Sequence, residues 1–340
     1  HMETDAAAPA ASTTEANVTL ETKAPSGQGF EDLRRIVSMI ERGVLTNQTR
    51  LVSRALRHNA PLRSASTKSL LTKAVQTYIP VDVNMEPKHE ILLQQLAALP
   101  SDPEAMVLDN TEEKSDEAIV ARTTVVPEVH VYIATLVLTA LLRNDLLDHA
   151  VTAVHTLFES VTKLNRRTLD PLSSKVYFYL SLTHERQGNL AVVRSPLLAA
   201  HRTASLQHDE MGQATLLNLL LRNLLHYKLV EQAYKLVSKT NFPEKASNNQ
   251  FCRYLYYTGR ISALQLEYGE AYAKLLQSLR KAPQNTAAGF RRSVHKVMVI
   301  VQLLMGELPE RPIFNHVDLR QALAPYLTLT QAVRAGNLKE

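Results

Sequence analysis

The sequence predicts an all-α protein, organised as an α-solenoid in which helical hairpins stack side by side. Apolar residues recur with helical spacing along most of the chain. The 340 residues include only 10 glycines and no tryptophan, a composition that disfavours a sheet protein. In the second half, breaks between helices recur about every 40 residues. This period fits stacked helix pairs better than a compact bundle.

The first third of the chain divides into three predicted segments. Residues 1–29 are rich in Ala, Thr, Pro, Ser and Gly without an apolar period, which predicts a disordered tail. Its opening dipeptide, His1-Met2, resembles the scar of a cleaved tag. Helical patterns begin at Phe30, so residues 30–99 are expected to form N-terminal helices. Residues 100–126 lose this pattern and hold seven acidic against two basic residues, which predicts an acidic linker.

Residues 127–340 are predicted to form the helical-repeat solenoid. Pro127 suits the first turn of a helix, and Asp170, Asp209 and Asn285 stand where helix N-caps are expected. The turns that set the 40-residue period are expected at Gly188-Asn189, Lys228-Leu229, Tyr268-Gly269 and Gly306-Glu307.

The residue pattern of 248–283 predicts one complete hairpin. It consists of a helix, a tight turn and a second helix that stops at Pro283. Apolar side chains nearly encircle the first helix, and they include Tyr254, Tyr256, Tyr257, Leu264 and Leu266. Only a narrow charged stripe remains, formed by Arg253, Arg260 and Glu267 at i, i+7 and i+14. We therefore expect this helix to pack between neighbours, with the stripe alone open to partners.

The sequence contains no pattern that indicates catalysis or cofactor binding. It lacks the glycine-rich loops G-x-x-x-x-G-K-[ST] and G-x-G-x-x-G, and it lacks G-x-S-x-G. None of the twelve histidines is spaced with acidic residues as a metal ligand set. The single cysteine, Cys252, lies in an apolar helix, which favours a buried thiol over a nucleophile. The prediction is a protein that is not an enzyme and uses no cofactor or metal.

Membrane contact is not expected either. The longest apolar runs, 129–142 and 297–305, are shorter than the roughly 20 residues that span a bilayer. No N-terminal signal sequence is present, and a single cysteine suits a reducing compartment. These features predict a soluble intracellular protein.

Charge is divided unevenly along the chain. Residues 1–126 hold 13 basic against 17 acidic residues, whereas residues 127–340 hold 25 against 16, a net charge of +9. A basic helical body is compatible with an acidic protein segment, with nucleic acid, or simply with a solvated surface. Nucleic acid is the less favoured partner, because the basic clusters are sparse and the tyrosines have core spacing. The candidate partner-binding residues are Arg253, Arg260, Glu267, Arg202, Lys228, Lys235, Arg291 and Arg292.

Long stretches resemble the family of the non-ATPase regulatory subunit 3 of the 26S proteasome, which belongs to the PCI-domain group of lid components. The similar stretches are residues 208–244, 248–271, 279–311 and 323–338, and a thinner similarity begins at Phe30. The resemblance implies an N-terminal arm of TPR-like hairpins that leads into a PCI module ending in a winged helix. This chain stops before the winged helix, so it is expected to enter the PCI module without completing it.

What the resemblance implies about function is a non-catalytic scaffold of the cytoplasm and nucleus. Its implied partners are other PCI subunits of the proteasome lid and a small acidic lid protein. Two alternatives remain: a basic helical module that binds nucleic acid, and a paralogous scaffold of the COP9 signalosome or of a translation-initiation complex. The stretches YLYYTGR at 254–260 and LRKAPQ at 279–284 favour the proteasome subunit.

Overall fold

The computed structural model describes residues 28–64, 66–79, 88–100, 126–164, 166–283 and 286–336. The predicted tail and the predicted acidic linker fall almost wholly outside these ranges and stay predictions. At the edge of the tail, helix α1 already begins at Gln28. Within the described residues the chain forms α-helices and one short 3-10 turn, and two compact units run from residue 28 to 200 and from 201 to 336.

The first unit contains eight complete helices in its described part. These are α1 (Gln28–Leu45), α2 (Thr49–Arg57), α3 (Asn59–Ser64), α4 (Lys68–Tyr78), α5 (Lys88–Ala97), α6 (Pro127–Arg143), α7 (Leu147–Lys163) and α8 (Asp170–Arg186). The 3-10 turn, Arg167–Leu169, lies between α7 and α8. Helix α9 (Arg194–Leu206) crosses the boundary between the units.

The apolar run at 129–142 is the core helix of the first unit. Helix α6 is buried from Glu128 to Leu142 except for His130, as expected of a helix that is apolar on all sides. Its buried Tyr132 hydroxyl donates to Asn59 Oδ1 at 3.0 Å, and burial raises the pKa of that phenol. Among the helices described, none combines the length and the apolar character needed to cross a membrane.

The second unit stacks helices in the same way. Its helices are α10 (Glu210–His226), α11 (Val230–Lys239), α12 (Asn248–Leu264), α13 (Tyr268–Lys281), α14 (Ala288–Leu304), α15 (Arg311–Asn315) and α16 (Val317–Ala335). The main core joins buried side chains from α10, α11, α12, α13 and α14, such as Leu221, Ala233, Tyr257, Leu275 and Met298. A smaller cluster packs Val299 against Phe314, Leu319 and Leu323.

Several of the described helices end in the same way. A residue with positive φ follows the helix, and the next residue's N–H donates to the carbonyl five positions back, which is the Schellman arrangement. Examples are Leu229 N to Leu224 O (2.9 Å), Glu267 N to Ser262 O (3.0 Å) and Glu307 N to Gln302 O (2.9 Å). The positive-φ residues at such turns are Asn47, Asp145, Gly188, His208, Lys228, Leu266 and Gly306.

The structure corrects one of the turns and one of the helix N-caps that the sequence predicted. The turn predicted at Tyr268-Gly269 lies instead at 265–267, and Tyr268 opens α13. Asp170 is not an N-cap, because the preceding 3-10 turn leads straight into α8 and Asp170 is already helical at φ −49 and ψ −44. The cap predicted at Asp209 is confirmed, since its carboxylate accepts from Gly212 N at 2.9 Å. Asn285 lies outside the described residues.

The hairpin at 248–283 has a shorter first helix than expected. Helix α12 stops at Leu264, so Leu264 and Leu266 are not packed between helices but 55% and 72% exposed. The remainder of α12 is packed closely against α13. A Cβ atom at Gly259 would lie 3.0 Å from Leu275 Cγ, which is why only glycine allows this approach without displacement.

Candidate anion-binding site

The predicted charged stripe of α12 is shorter and less exposed than its spacing suggested. Arg253 and Arg260 both lie on α12, but both side chains are half-buried. Glu267 is exposed and occupies the N-cap position of α13, where its backbone carbonyl accepts from Ala271 N at 3.0 Å. Because the helix ends at Leu264, Glu267 cannot continue the stripe, which therefore ends at Arg260.

A third arginine, Arg222 of α10, joins this stripe through the register between α10 and α12. Asn218 Nδ2 donates to the backbone oxygen of Gln250 at 2.9 Å and to its Oε1 at 2.8 Å. Consecutive helices of stacked hairpins alternate in direction, so α10 and α12 run the same way. One turn further along both helices, Arg222 comes level with Arg253.

The positive charges of three guanidinium groups act on one buried phenol, that of Tyr257. The Tyr257 side chain is 8% exposed, and burial raises its pKa, while the positive charges of Arg222, Arg253 and Arg260 act to lower it. Arg260 also lies over the ring of Tyr256, with Cζ 5.7 Å from the ring centroid, a cation–π distance. We call these four side chains, Arg222, Arg253, Tyr257 and Arg260, the arginine cluster.

Within the arginine cluster, Arg253 and Arg260 carry positive charge that no ion pair among the described residues neutralises. Burial lowers the pKa of Arg253, and the charge of Arg222 lowers it further. In the described part of the chain, no carboxylate lies within ion-pair distance of Arg253 or Arg260. Half-buried guanidinium groups without a counter-charge are favourable partners for an oxyanion, which would form charge-assisted hydrogen bonds with them.

The remaining candidate residues lie elsewhere in the second unit. Arg202 on α9, Lys228 in the α10–α11 turn and Lys235 on α11 are exposed, and among the described residues none of them bonds to the arginine cluster. Arg292 is exposed and its Nε donates to the Asp318 carbonyl at 2.7 Å, which ties α14 to α16.

Arg291 is not on the surface that the sequence analysis expected. Its side chain is only 8% exposed, because it shares the inward face of α14 with Val294 and Met298. Its charge helps burial to lower the pKa of His295 to about 4. Arg291 therefore belongs to the packing of α14.

Sequence reasoning missed two features of the molecule. Arg222 was not among the candidates, although it is the only cation inside the apolar run of α10 and that pattern could have identified it. His155 and His184 face each other with their Nε2 atoms 3.1 Å apart, a pairing that residues on two different helices do not reveal by spacing. No set of three or more His, Cys, Asp or Glu side chains that could hold a metal occurs among the described residues.

The thiol of Cys252 is buried as expected. It is 2% exposed, and burial raises its pKa, so the thiol stays protonated at neutral pH. This environment does not activate a nucleophile.

The chain is similar to one family of known proteins over most of its length. The family model described as "PSMD3-like, N-terminal TPR repeats" matches residues 25–330. The chain is 46% identical over 311 residues to "26S proteasome non-ATPase regulatory subunit 3" of Dictyostelium discoideum. The matched region covers 91% of this chain and 61% of that protein. It is 42% identical over 314 residues to a probable subunit 3 of Daucus carota (91% and 62% covered) and 40% identical over 310 residues to one of Drosophila melanogaster (91% and 60% covered).

These similarities confirm the predicted fold class, a solenoid of TPR-like helical hairpins. The chain spans about three fifths of the length of these relatives.

Proposed function

The chain belongs to the family of the 26S proteasome non-ATPase regulatory subunit 3, and on this basis we propose that it is a non-catalytic scaffold of the proteasome lid. It assembles with other PCI-domain subunits of the lid and with a small acidic lid protein. It acts in ubiquitin-dependent protein degradation, in the cytoplasm and the nucleus, and it binds neither membranes nor nucleic acid.

Two kinds of observation support the scaffold role. The relatives are named as regulatory subunits, and their shared region with this chain matches a model of TPR repeats. Stacked hairpins present long surfaces on which partner chains can lie. The sequence has no catalytic pattern.

The arginine cluster is the observation that supports an acidic partner. The charges of three guanidinium groups act on Tyr257, and among the described residues Arg253 and Arg260 have no carboxylate partner. A carboxylate from an Asp or Glu side chain offers two oxygens to the planar fork of a guanidinium. We infer that the acidic lid protein places a carboxylate against Arg253 and Arg260.

Affinity purification of the tagged chain tests this proposal. The chain is expected to recover other lid subunits together with a small acidic protein. The variant Arg253→Gln/Arg260→Gln is expected to lose most of the acidic protein while it keeps the other subunits. Arg320→Gln, which changes an exposed arginine that is neither in the cluster nor among the candidate partner-binding residues, serves as the control and is expected to recover both.

Two results would contradict the proposal. Recovery of no lid subunit above the level of an unrelated tagged protein would remove the scaffold role. Equal recovery of the acidic protein by both variants would leave the scaffold role in place and would remove the arginine cluster as the binding site.

A further inference from the structure

Two neighbouring turns of the second unit share a short sequence pattern. Leu264-Gln265-Leu266-Glu267-Tyr268-Gly269-Glu270 follows α12, and Leu304-Met305-Gly306-Glu307-Leu308-Pro309-Glu310 follows α14. Both read L-x-x-E-x-x-E, and they lie 40 residues apart. Both leucines at the first position are exposed, at 55% for Leu264 and 56% for Leu304.

The Schellman bonds place these two segments in equivalent positions. Ser262 and Gln302 are the acceptors of the two turns, so Leu264 corresponds to Leu304 and Leu266 to Gly306. Gln302 Nε2 donates to the Tyr272 hydroxyl at 3.3 Å, which holds the end of α14 beside the start of α13. The two turns therefore lie along the same edge of the unit.

Leu266 indicates that this edge does more than connect helices. Its φ is +66, whereas the corresponding residues of the other turns are Asn, Asp, Gly, His or Lys. A branched apolar side chain in this conformation is strained, and the side chain is 72% exposed, so packing does not compensate for the strain. Neither the turn nor solvation favours a leucine here.

The charge of the edge differs from that of the unit around it. Residues 201–336 contain 17 basic and 9 acidic residues, but the two L-x-x-E-x-x-E segments contain four glutamates and no cation. Glu270 is paired with Lys274 at 2.9 Å, while Glu267, Glu307 and Glu310 are exposed. The carboxylates near the starts of α13 and α15 favour those helix termini, but that role does not explain exposed leucines.

We propose that this edge docks an amphipathic helix of a partner protein, with its apolar face on Leu264, Leu266, Leu304 and Leu308 and with lysines or arginines beside Glu267 and Glu307. Leu308 is 49% exposed and extends the apolar surface from the second turn. The docking goes beyond the lid-scaffold role and does not require the acidic partner of the arginine cluster. Leucines at i, i+3, i+4 and i+7 would present such a face.

The probe is a fluorescein-labelled helical peptide of leucine and lysine with that spacing, titrated into the chain and followed by fluorescence anisotropy. The variant Leu264→Ala/Leu304→Ala is expected to raise the dissociation constant by roughly tenfold, since exposed leucines can be truncated without loss of fold. Glu267→Gln/Glu307→Gln is expected to raise it by about threefold at low salt and less at high salt.

Leu206→Ala is the matched control. Leu206 is 83% exposed and holds the same position before a positive-φ residue, His208, but it ends α9 just before the start of α10, at the opposite edge. The affinity of Leu206→Ala is expected to equal that of the unchanged chain. The docking proposal is wrong if Leu264→Ala/Leu304→Ala binds as tightly as the unchanged chain, or if Leu206→Ala weakens binding equally.

Leu266→Gly provides a second, independent readout. Glycine removes the strain, so the thermal midpoint is expected to rise, and it removes an apolar contact, so peptide affinity is expected to fall by about threefold. A variant that gains stability and binds the peptide unchanged would show that Leu266 takes no part in docking. A variant that loses stability would show that the leucine is retained for folding, which would also contradict the proposal.

Discussion

Replacing Gly259 by valine tests how α12 packs against α13. A Cβ atom at this position would lie 3.0 Å from Leu275 Cγ, 3.1 Å from its Cδ2 and 3.4 Å from the Ala271 carbonyl oxygen. The backbone oxygen cannot move without shifting α13. Leu275 is 0% exposed, so its side chain has little space to withdraw into.

The expected change in the free energy of unfolding combines a gain in helix propensity with a loss from steric overpacking. Alanine at position 259 would gain about 0.5–1 kcal/mol of helix propensity over glycine, and its tight Cβ contact would cost a similar amount. Valine adds two methyl groups to the same closed space, and overpacking of a core costs about 1–3 kcal/mol. We therefore expect Gly259→Val to lower the free energy of unfolding by about 2 kcal/mol relative to the unchanged chain.

Urea unfolding followed by the near-ultraviolet circular dichroism of the tyrosines measures this change. Leu275→Ala alone is expected to cost about 2–5 kcal/mol, and it opens the space into which the valine would fit. The double variant should therefore be more stable than the sum of the single losses predicts, by about 1 kcal/mol or more.

Gly269→Val is the control, because a Cβ at Gly269 would meet no atom within 4 Å. Its effect is expected to stay within about 0.5 kcal/mol. An unfolding midpoint of Gly259→Val equal to that of the unchanged chain, or strict additivity with Leu275→Ala, would refute the packing described for this hairpin.

Three further predictions concern the same unit. Ala271→Arg places a charge at a 0% exposed core position and should cost about 3–5 kcal/mol in urea unfolding; unchanged stability would contradict the assigned packing. Ser278→Ala removes the Oγ bond to the Cys252 carbonyl (2.9 Å) and should cost about 1 kcal/mol, and no loss would mean that the bond contributes nothing. His295 has a pKa of about 4 against 6.5 when unfolded, so the unfolded chain binds more protons between these values, and stability should fall as pH drops from about 6.5 to 4. His295→Gln should flatten this slope of the urea midpoint, the exposed His226→Gln should not, and equal slopes for both would rule out His295 as the cause.

Helical periodicity predicted the fold class and the stacking of hairpins, because burial of one helix face is encoded directly in residue spacing. The end of α12 was harder to predict. Positive φ is normally supplied by Gly, Asn or Asp, so the sequence pointed to Gly269 as part of the turn, whereas the chain turns at Leu266. A leucine with positive φ therefore gives no sign in the local sequence that the chain turns there.

The arginine cluster, too, could be predicted from the sequence only in part. The spacing of Arg253 and Arg260 on one helix indicated a shared face, and in the structure the charges of both act on the Tyr257 phenol. Arg222 comes from another helix, and its position depends on the hydrogen bonds between Asn218 and Gln250, which spacing along one helix does not contain. Arg291 was placed on the surface although its spacing to the apolar residues of α14 puts it on the buried face.

Titration of an acidic peptide into this chain tests the central claim most directly. The probe is a labelled peptide rich in Asp and Glu with the sequence of an acidic lid protein, measured at low and at higher salt. We expect saturable binding that weakens with salt, and we expect Arg253→Glu/Arg260→Glu to lower affinity by at least about tenfold, because like charges repel at close range. Arg320→Glu, at an exposed arginine outside the cluster and outside the candidate residues, should have a much smaller effect. Binding that is equally weakened by Arg320→Glu, or unaffected by Arg253→Glu/Arg260→Glu, would contradict the assignment of the arginine cluster as the site.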